Sequence, residues 1–411
     1  MRIGVVGAGL GGLLSAVSLV KKGHEVIIFE KLPYSGGRFT NIKYQGFALS
    51  TGALHMIPHG SNGPLASMLK NLGIAVKIIP SDPPGVFRID GKDYRHNEIP
   101  RLFSMRDKIR ITKLIADLKF GSGGNETFRQ WLHERINNEL VYAISDSFCG
   151  WTLSVSLDEI SSREVISITR NITKLGAAGI PQGGCKGVTR ALVKEFKRLN
   201  GQILYKKPVN AISIEDGRVK GLSTQEDNYE FDVIISDIGP KKTIELCGEV
   251  NFDRSYVKAV SNAREVGGIK ISIACDKPML KHTGVLFTPT RRINGANEVT
   301  NADPSLAPKG KHLLMTHQKL ESNNIKKEIK LGIEELHEIF PDFDKHCKIL
   351  MVQSYRDGWP VNRTPSGKHL SPESPIDGLY YVGDAIKPEG WMETEGVAKG
   401  VELMLSRLKA K

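Results

Sequence analysis

Apolar runs and amphipathic segments alternate at the beginning of the chain. The runs at 3–6 and 25–29 are almost entirely apolar, and each predicts a buried strand. Between them, residues 13–22 carry apolar side chains at helical spacing, and Gly23 ends the predicted helix. A strand, a helix and a second strand in this order predict two parallel strands joined by a crossover. The first thirty residues therefore predict an α/β unit.

Similar short elements are predicted in two later parts of the chain. They are a helix over 188–199, strands over 201–205 and 209–212, a hairpin turn at 215–218, and strands over 231–236 and 380–382. The run at 231–236 is apolar at successive positions, as is typical of a strand buried on both faces of a parallel sheet. These elements suit the same α/β architecture.

Two longer helices are predicted between these blocks. The first covers Ser104 to Phe120, begins with the capping signal Ser104-x-x-Asp107 and is strongly basic. Such a helix can rest on an anionic membrane, and a basic solvated face on a packed helix is the alternative. The second, over 325–340, has mixed charge and predicts a packed surface helix.

A glycine motif follows the first predicted strand. Gly7 permits a tight turn from strand to helix, Gly9 lets the backbone approach a diphosphate, and Gly12 lets the helix pack closely on the strand. Gly11 lies in the same loop, beside the predicted helix N-terminus, where N–H groups attract phosphate. Glu30 ends the second strand, where an acid can bind both ribose hydroxyls. The motif therefore predicts a dinucleotide cofactor.

The chain continues from Glu30 into a loop that a plain nicotinamide dehydrogenase does not require. It begins at Lys31 and contains Gly36 and Gly37, which let the backbone fold over an extended ligand. Arg38 follows and can pair with phosphate through its planar donor fork. This extension favours a larger cofactor.

Composition narrows the class of protein. The chain has 411 residues, 40% of them hydrophobic, which is enough for two or three domains. Its formal charge is +12, but no nucleic-acid-binding signature accompanies that charge, so we expect no nucleic-acid partner. The five cysteines are widely separated, so we expect buried reduced thiols and no metal site. No apolar stretch approaches the roughly 18 residues needed to cross a bilayer, so we expect a cytoplasmic protein, with a peripheral position at the membrane as the alternative.

Three separated motifs resemble the FAD-dependent superfamily of phytoene desaturases, carotenoid isomerases, protoporphyrinogen oxidases and flavin amine oxidases. They are Gly7 to Arg38, Ile180-Pro181-Gln182-Gly183-Gly184 with its following helix, and Leu379 to Asp384. The resemblance implies an α/β fold: an FAD-binding Rossmann-like domain of the glutathione-reductase type with an inserted mixed α+β substrate domain. The expected FAD-binding domain comprises 1–80, 180–245 and 345–411, and the expected substrate domain comprises 81–179 and 246–344.

The resemblance also implies further residues at an FAD site. Val209 would lie near the adenine, although it can equally be a core residue. Near the C-terminus, Gly383 would permit close approach, and Asp384 would hydrogen-bond a ribityl hydroxyl or phosphate-linked water. A helix starting around Thr394 would direct its N-terminus at the flavin, which implies a role for Glu395, Gly396 and Val397. The chain has no suitable C-terminal cysteine for a covalent link, so FAD is expected to be noncovalent.

Catalytic residues are less well defined by the sequence. Flavin amine oxidases have a lysine bonded through water to flavin N5, and Lys270 is similarly placed. The alternative is that Lys270 is the solvent-facing charge of an alternating strand. His55 or His59, in a loop that this superfamily brings near the flavin, can transfer a proton, or can be merely hydrogen-bonded in the loop. The aromatic residues Tyr355, Trp359 and Trp391 can wall an apolar substrate cavity, or can be ordinary packing residues.

We therefore expect an FAD-dependent oxidoreductase that transfers hydride from a hydrophobic small molecule to flavin N5, most like the phytoene desaturase branch. The chain shows no second strand-linked glycine motif for NAD(P)H, which favours reoxidation by an outside acceptor such as oxygen or a quinone. One alternative is a flavin amine oxidase or a protoporphyrinogen-oxidase-like enzyme. Another is a noncatalytic, regulatory FAD-binding protein.

Overall fold

The computed structural model describes residues 1–52, 54–263, 265–290, 292–356 and 370–408. The strands in these ranges are β1 (Arg2–Val6), β2 (Glu25–Glu30), β3 (Asn41–Tyr44), β4 (Phe47–Ser50), β5 (Ile78–Pro80), β6 (Gly85–Ile89), β7 (Lys92–Arg95), β8 (Gly179–Pro181), β9 (Gln202–Tyr205), β10 (Ala211–Glu215), β11 (Arg218–Ser223), β12 (Asn228–Glu230), β13 (Val233–Ser236), β14 (Gly268–Cys275), β15 (Val285–Phe287), β16 (Ile293–Glu298), β17 (His312–Lys319), β18 (Cys347–Tyr355) and β19 (Leu379–Tyr381).

The α-helices in the same ranges are α1 (Leu10–Lys21), α2 (Pro64–Asn71), α3 (Met105–Phe120), α4 (Phe128–His133), α5 (Glu139–Leu153), α6 (Ser162–Leu175), α7 (Cys185–Arg198), α8 (Pro240–Cys247), α9 (Arg254–Ser261), α10 (Ile325–Ile339), α11 (Phe343–His346) and α12 (Glu393–Arg407). The bounds of α3, α10 and α12 lie close to those predicted. Helix α1 begins three residues earlier than predicted, at Leu10, because the glycine loop turns directly into the helix.

Strands β19, β13, β1, β2 and β9 form, in this order, a parallel sheet. Helices α1, α7 and α12 cover one face, where Val5 of β1 packs with apolar residues of these helices. The smaller sheet β10-β11-β12 and helix α8 cover the other face, where Val6 packs with their side chains. The predicted hairpin at 215–218 is confirmed, since β10 and β11 pair on either side of it. This is the Rossmann-like α/β unit that the sequence predicted.

A second, larger sheet is mixed, with the strand order β18-β14-β17-β16-β15-β6-β7. Its pairs are antiparallel except for β15 with β6. Helices α3 to α6 enclose a separate apolar cluster that includes Trp131 and Ile166. Strand β18 falls in the range expected for the FAD-binding domain but pairs in this larger sheet, so the structure places it with the expected substrate domain. The division of the chain into two domains otherwise stays a prediction.

All five cysteines are without a disulfide, and all but the half-buried Cys347 are buried. Cys275 and Cys347 lie opposite each other on β14 and β18, with their Sγ atoms 3.1 Å apart. No cluster of His, Cys, Asp or Glu in the described ranges is arranged to hold a metal ion. None of the described helices combines the length and apolar character needed to span a membrane.

Candidate active site

A cavity of about 970 Å³ lies where the carboxyl ends of the parallel strands meet the larger sheet. One wall, here called the glycine wall, comes from the loops after β1, β2, β13 and β19 and includes Gly9, Gly11 and Asp237. The other, here called the sheet wall, includes Trp151, Ser154, His317 and Tyr355. Ligands of open α/β sheets bind outside the carboxyl ends of the strands, so the cavity has the expected position for one.

The glycine wall is packed too tightly for side chains. A Cβ atom on Gly9 would lie 2.3 Å from Asp237 Oδ2, and one on Gly11 would lie 2.8 Å from the backbone nitrogen of Gly383. A Cβ atom on Gly12 would lie 2.2 Å from the carbonyl oxygen of Gly7, so Gly12 lets α1 pack on the turn and does not line the cavity. Gly7 itself has a φ of +99°, which favours glycine.

Helix α1 begins in this wall without a side-chain cap, because its N-cap residue is Gly9. The N-cap residue therefore supplies no side-chain acceptor to the first-turn N–H groups, and this helix end suits an anion. Glu30 is buried beside them, accepting hydrogen bonds from the backbone nitrogens of Ala8 and Leu32, each at 2.8 Å. Each carboxylate oxygen has a second lone pair, so Glu30 is fixed in place and can still accept from hydroxyl groups.

Asp237 follows β13 directly and was missed by the sequence reasoning. Burial raises its pKa to about 7, an effect that the N–H of Gly12 and the positive Arg38 only partly offset. Its Oδ2 atom is buried and makes no hydrogen bond of normal geometry to the described residues. Asp237 therefore carries a proton in much of the protein at neutral pH and can donate a hydrogen bond. The position of an acid at the carboxyl end of a predicted parallel strand was the available signal.

Two cofactor residues predicted from opposite ends of the chain meet in the cavity. Arg38 Nη1 lies 3.2 Å from Asp384 Oδ2, and Asp384 also pairs with the buried Lys387. Gly36, with a φ of +111°, donates its N–H to the carbonyl oxygen of Ala8 at 2.7 Å, so this loop folds back onto the glycine wall. The other predicted cofactor residues that line the cavity are Gly7, Lys31, Gly37, Val209 and Gly383.

The N-terminus of α12 reaches the cavity, as the sequence reasoning expected. Glu393, Thr394 and Val397 line it, and the helix has no side-chain cap. Thr394 Oγ1 is buried and has no hydrogen-bond partner among the described residues. Glu393 has a φ of +46°, which is unusual for a residue with a side chain, and burial raises its pKa to about 8. Strained residues of this kind cluster at functional sites.

Glu395 and Gly396 do not line the cavity. The Glu395 carboxylate is buried and accepts hydrogen bonds from the backbone nitrogen of Leu65 at 2.7 Å and that of His59 at 3.3 Å. A Cβ atom on Gly396 would lie 2.4 Å from Lys387 Cδ, so Gly396 makes room for that lysine. Both residues support the helix N-terminus from behind.

The two predicted proton-transfer histidines also lie outside the cavity wall. His55 is buried, donates from Nε2 to the carbonyl oxygen of Ala48 at 2.8 Å and accepts at Nδ1 from the N–H of Cys185 at 3.2 Å. Burial lowers its pKa to about 4, so it is neutral and both nitrogens are occupied. His59 is buried against Trp391 and has a hydrogen bond from Nδ1 to the carbonyl oxygen of Gly176. Neither histidine lines the cavity, and a role for either in proton transfer stays a prediction.

Lys270 is neither a cavity residue nor the solvent-facing charge that the strand alternation suggested. Its side chain is 1% exposed, and its ammonium donates to Ser50 O at 2.5 Å, to Ser50 Oγ at 2.8 Å and to Gly52 O at 2.8 Å. These bonds use all three donors of the group. Burial lowers its pKa to about 7. Because Gly52 lines the cavity, Lys270 positions the cavity wall from behind.

The sheet wall carries a polar cluster that the sequence reasoning did not assemble. Tyr355 OH hydrogen-bonds His317 Nε2, and Ser154 Oγ lies 3.2 Å from Tyr355 OH and 3.3 Å from His317 Nε2. The indole of Trp151 meets the His317 ring edge to face at 6.2 Å. Burial lowers the pKa of His317 to about 3 and raises that of Tyr355, so both are neutral.

Two features of this cluster are invisible in sequence. Ser154 ends α5 with a φ of +57°, which directs its hydroxyl toward the cluster. His317 comes to the site because β17 pairs with β14, opposite Lys270. Of the three predicted wall aromatics, Tyr355 lines the cavity, Trp391 does not, and Trp359 lies outside the described residues.

Residues 10–396 match the family of flavin containing amine oxidoreductases. The chain belongs to this family. The match covers most of the chain and confirms the resemblance on which the α/β fold and the flavin were expected. The matched range includes every strand of the larger sheet.

Several similar proteins match this chain over nearly its whole length. It is 47% identical to the uncharacterized protein MJ1488 of Methanocaldococcus jannaschii over 98% of both chains. A crystal structure of an oxidoreductase from Methanosarcina mazei covers 99% of the chain and is itself covered completely, with 44% identity and a TM-score of 0.94. Prolycopene isomerase of Daucus carota is more distant, at 24% identity over 93% of this chain and 76% of the isomerase.

Proposed function

We propose that the protein binds FAD noncovalently and oxidises a small hydrophobic molecule. The observation that carries the proposal is a single cavity that joins an uncapped helix N-terminus and a fixed carboxylate on one wall to a polar and aromatic cluster on the other. Bound FAD would supply hydride acceptance at N5. The protein's part is to hold the cofactor, align the substrate and exclude water.

The residues of the glycine wall fit such a cofactor. The N-terminus of α1 would bind the diphosphate, with Gly9 and Gly11 allowing the approach of its oxygens. Glu30 would accept from the ribose hydroxyls, and Val209 would contact the adenine. Asp237, protonated, would donate a hydrogen bond from beneath the glycines. All of these side chains and glycines line the cavity.

A second group would hold the flavin part of the cofactor. The ion pair of Arg38 and Asp384, with Gly383 beside it, offers donors and acceptors to ribityl hydroxyls and phosphate. The N-terminus of α12, where Thr394 and Val397 line the cavity, presents a positive helix end that stabilises negative charge. This arrangement would favour reduction of a bound flavin.

The substrate is proposed to lie against the sheet wall. Leu54, Met56 and Trp151 make this side apolar, which suits a hydrophobic molecule. An isoprenoid-like substrate is the first candidate, because the chain resembles prolycopene isomerase over most of its length. A substrate with a hydrogen-bonding group, such as an amine, is the second candidate, because Tyr355, His317 and Ser154 bring hydroxyl and imidazole groups to the same wall of the cavity.

Glu393 is the residue that we propose to exchange a proton during turnover. It lines the cavity, and its pKa of about 8 lets it hold or release a proton near neutral pH. Lys270, with all its donors used, would act by positioning the Ser50 to Gly52 segment. His55 and His59 would have supporting roles in the loops behind the wall.

The test is the visible spectrum of the purified protein, followed by anaerobic addition of polyprenoid and amine panels. We expect bound flavin, released intact by denaturation, and bleaching of its oxidised band by members of one panel. Reoxidation of the bleached protein by oxygen or a quinone would then identify the acceptor class. Retained FAD that no substrate reduces would support a noncatalytic regulatory protein, and no FAD even after reconstitution would overturn the proposal.

A further inference from the structure

Helix α3 leaves an apolar face uncovered. Among the described residues, seven large hydrophobic side chains are exposed, and four of them belong to this helix: Met105 at 71%, Ile109 at 70%, Ile115 at 54% and Phe120 at 78%. Single exposed hydrophobic residues are ordinary, but four on one helix form a patch that calls for a partner.

The four side chains lie on the outward side of the helix. Met105, Ile109 and Phe120, together with the exposed Thr112 and Ala116, follow one another at intervals of three or four residues and so share one face. Ile115 borders this face. On the opposite side, Leu114 is buried in the apolar cluster of helices α3 to α6 and anchors the helix. The helix therefore packs on the protein through its other side, and the exposed stripe is not the face that joins the core.

Basic side chains flank the apolar stripe on both edges. At 100° per residue, Arg106 and Lys113 lie on one edge, and Lys108 and Lys119 lie on the other. None of these four forms an ion pair with the residues that the structure describes. Both acidic residues of the helix are engaged within the protein: Asp117 pairs with Arg135, and Asp107 takes part in the N-terminal cap.

We propose that α3 is a docking surface for an anionic lipid bilayer, lying in the membrane plane with its apolar stripe among the acyl chains. An interfacial helix has this pattern, since the flanking cations then lie at the level of the lipid phosphates. The helix is about 24 Å long, and one narrow stripe offers much less area than a stable protein interface buries. Charge on both edges of an apolar stripe matches a lipid surface. The proposal does not depend on which substrate the cavity takes.

Flotation of the purified, full-length protein with vesicles tests this docking. We expect the protein to float with vesicles of phosphatidylcholine and phosphatidylglycerol in equal amounts, to float at least about tenfold less with phosphatidylcholine alone, and to be released as the ionic strength is raised to about 0.5 M. The double variant Ile109→Ser, Phe120→Ser should lower the vesicle partition coefficient by at least about tenfold. Circular dichroism checks that it is folded.

Two matched controls test whether vesicle binding depends on α3. Val250 is 93% exposed on another part of the molecule, and Val250→Ser should leave vesicle binding unchanged. Lys113→Gln should weaken binding to the anionic vesicles, whereas Lys194→Gln, at an exposed lysine of α7, should not. Absence of flotation at every lipid concentration, or full binding by the double variant, would overturn the proposal. So would sedimentation showing a dimer that the double variant dissociates, because a second copy would then cover the stripe.

Discussion

Replacing Lys270 by methionine should change how stability depends on pH. The folded protein releases the Lys270 proton near pH 7, because burial lowers the pKa to about 7, whereas a lysine in the unfolded chain keeps its proton up to about pH 10.4. Between these values the unfolded chain binds one more proton than the folded protein. The contribution of Lys270 to the free energy of unfolding should therefore rise with pH, by about 1.4 kcal/mol per pH unit and by up to about 4 kcal/mol between pH 7 and pH 10.

Lys270→Met removes this contribution together with the three buried hydrogen bonds to Ser50 and Gly52, each worth about 1 kcal/mol. The measurement is the urea midpoint of wild type and variant at pH 7, 8, 9 and 10 under reducing conditions. The difference between the two proteins should grow with pH. Lys194→Met, at an exposed lysine, is the control and should show no such trend. A difference that stays flat would refute the reasoning, because the three hydrogen bonds would then hold the proton against burial.

Three further changes test the glycine and sheet walls. Gly9→Asp should abolish FAD retention, because the new side chain would overlap Asp237 and add negative charge at the diphosphate site. An unchanged flavin band in the purified variant would contradict this placement. In the wild type, the Kd for FAD should rise by up to about tenfold per pH unit above pH 7, because Asp237 then loses its proton beside the diphosphate. Asp237→Asn should bind FAD equally well at pH 6 and pH 9 in a fluorescence titration. Tyr355→Phe should retain FAD, but a hydrogen-bonding substrate should reduce it about tenfold more slowly in stopped flow. Equal slowing with a hydrocarbon substrate would argue against a hydrogen bond between Tyr355 and the substrate.

The sequence predicted the local parts of the fold well, because their causes are local. The turn after β1 needs glycines in order, the cap at Ser104 needs a short polar side chain, and the hairpin at 215–218 needs a turn residue. The strand expected over 209–212 begins only at Ala211, since Val209 belongs to the cavity wall. Local chemistry therefore determined these elements to within a few residues.

The candidate site was harder to predict because long-range pairing builds it. Alternation along β14 correctly separates its two faces but says nothing about what covers each one, and the segment at Ser50 covers the face that carries Lys270. The meeting of His317 with Tyr355 depends on the register of three strands far apart in the chain. Glu393 was missed because neither its left-handed backbone nor its burial at the start of α12 can be read from the sequence.

The late position in the chain of Gly383 and Asp384, which complete the glycine wall, has a consequence for synthesis of the protein. Strand β19 is an edge of the parallel sheet, and the segment after it supplies the partner of Arg38 and the atoms that abut Gly11. A nascent chain that has already folded its first strands still has a glycine wall open on this side. In the proposed mode of binding, FAD would be captured only after residues 379–397 have left the ribosome, so flavin incorporation would report that this segment has been made and has folded.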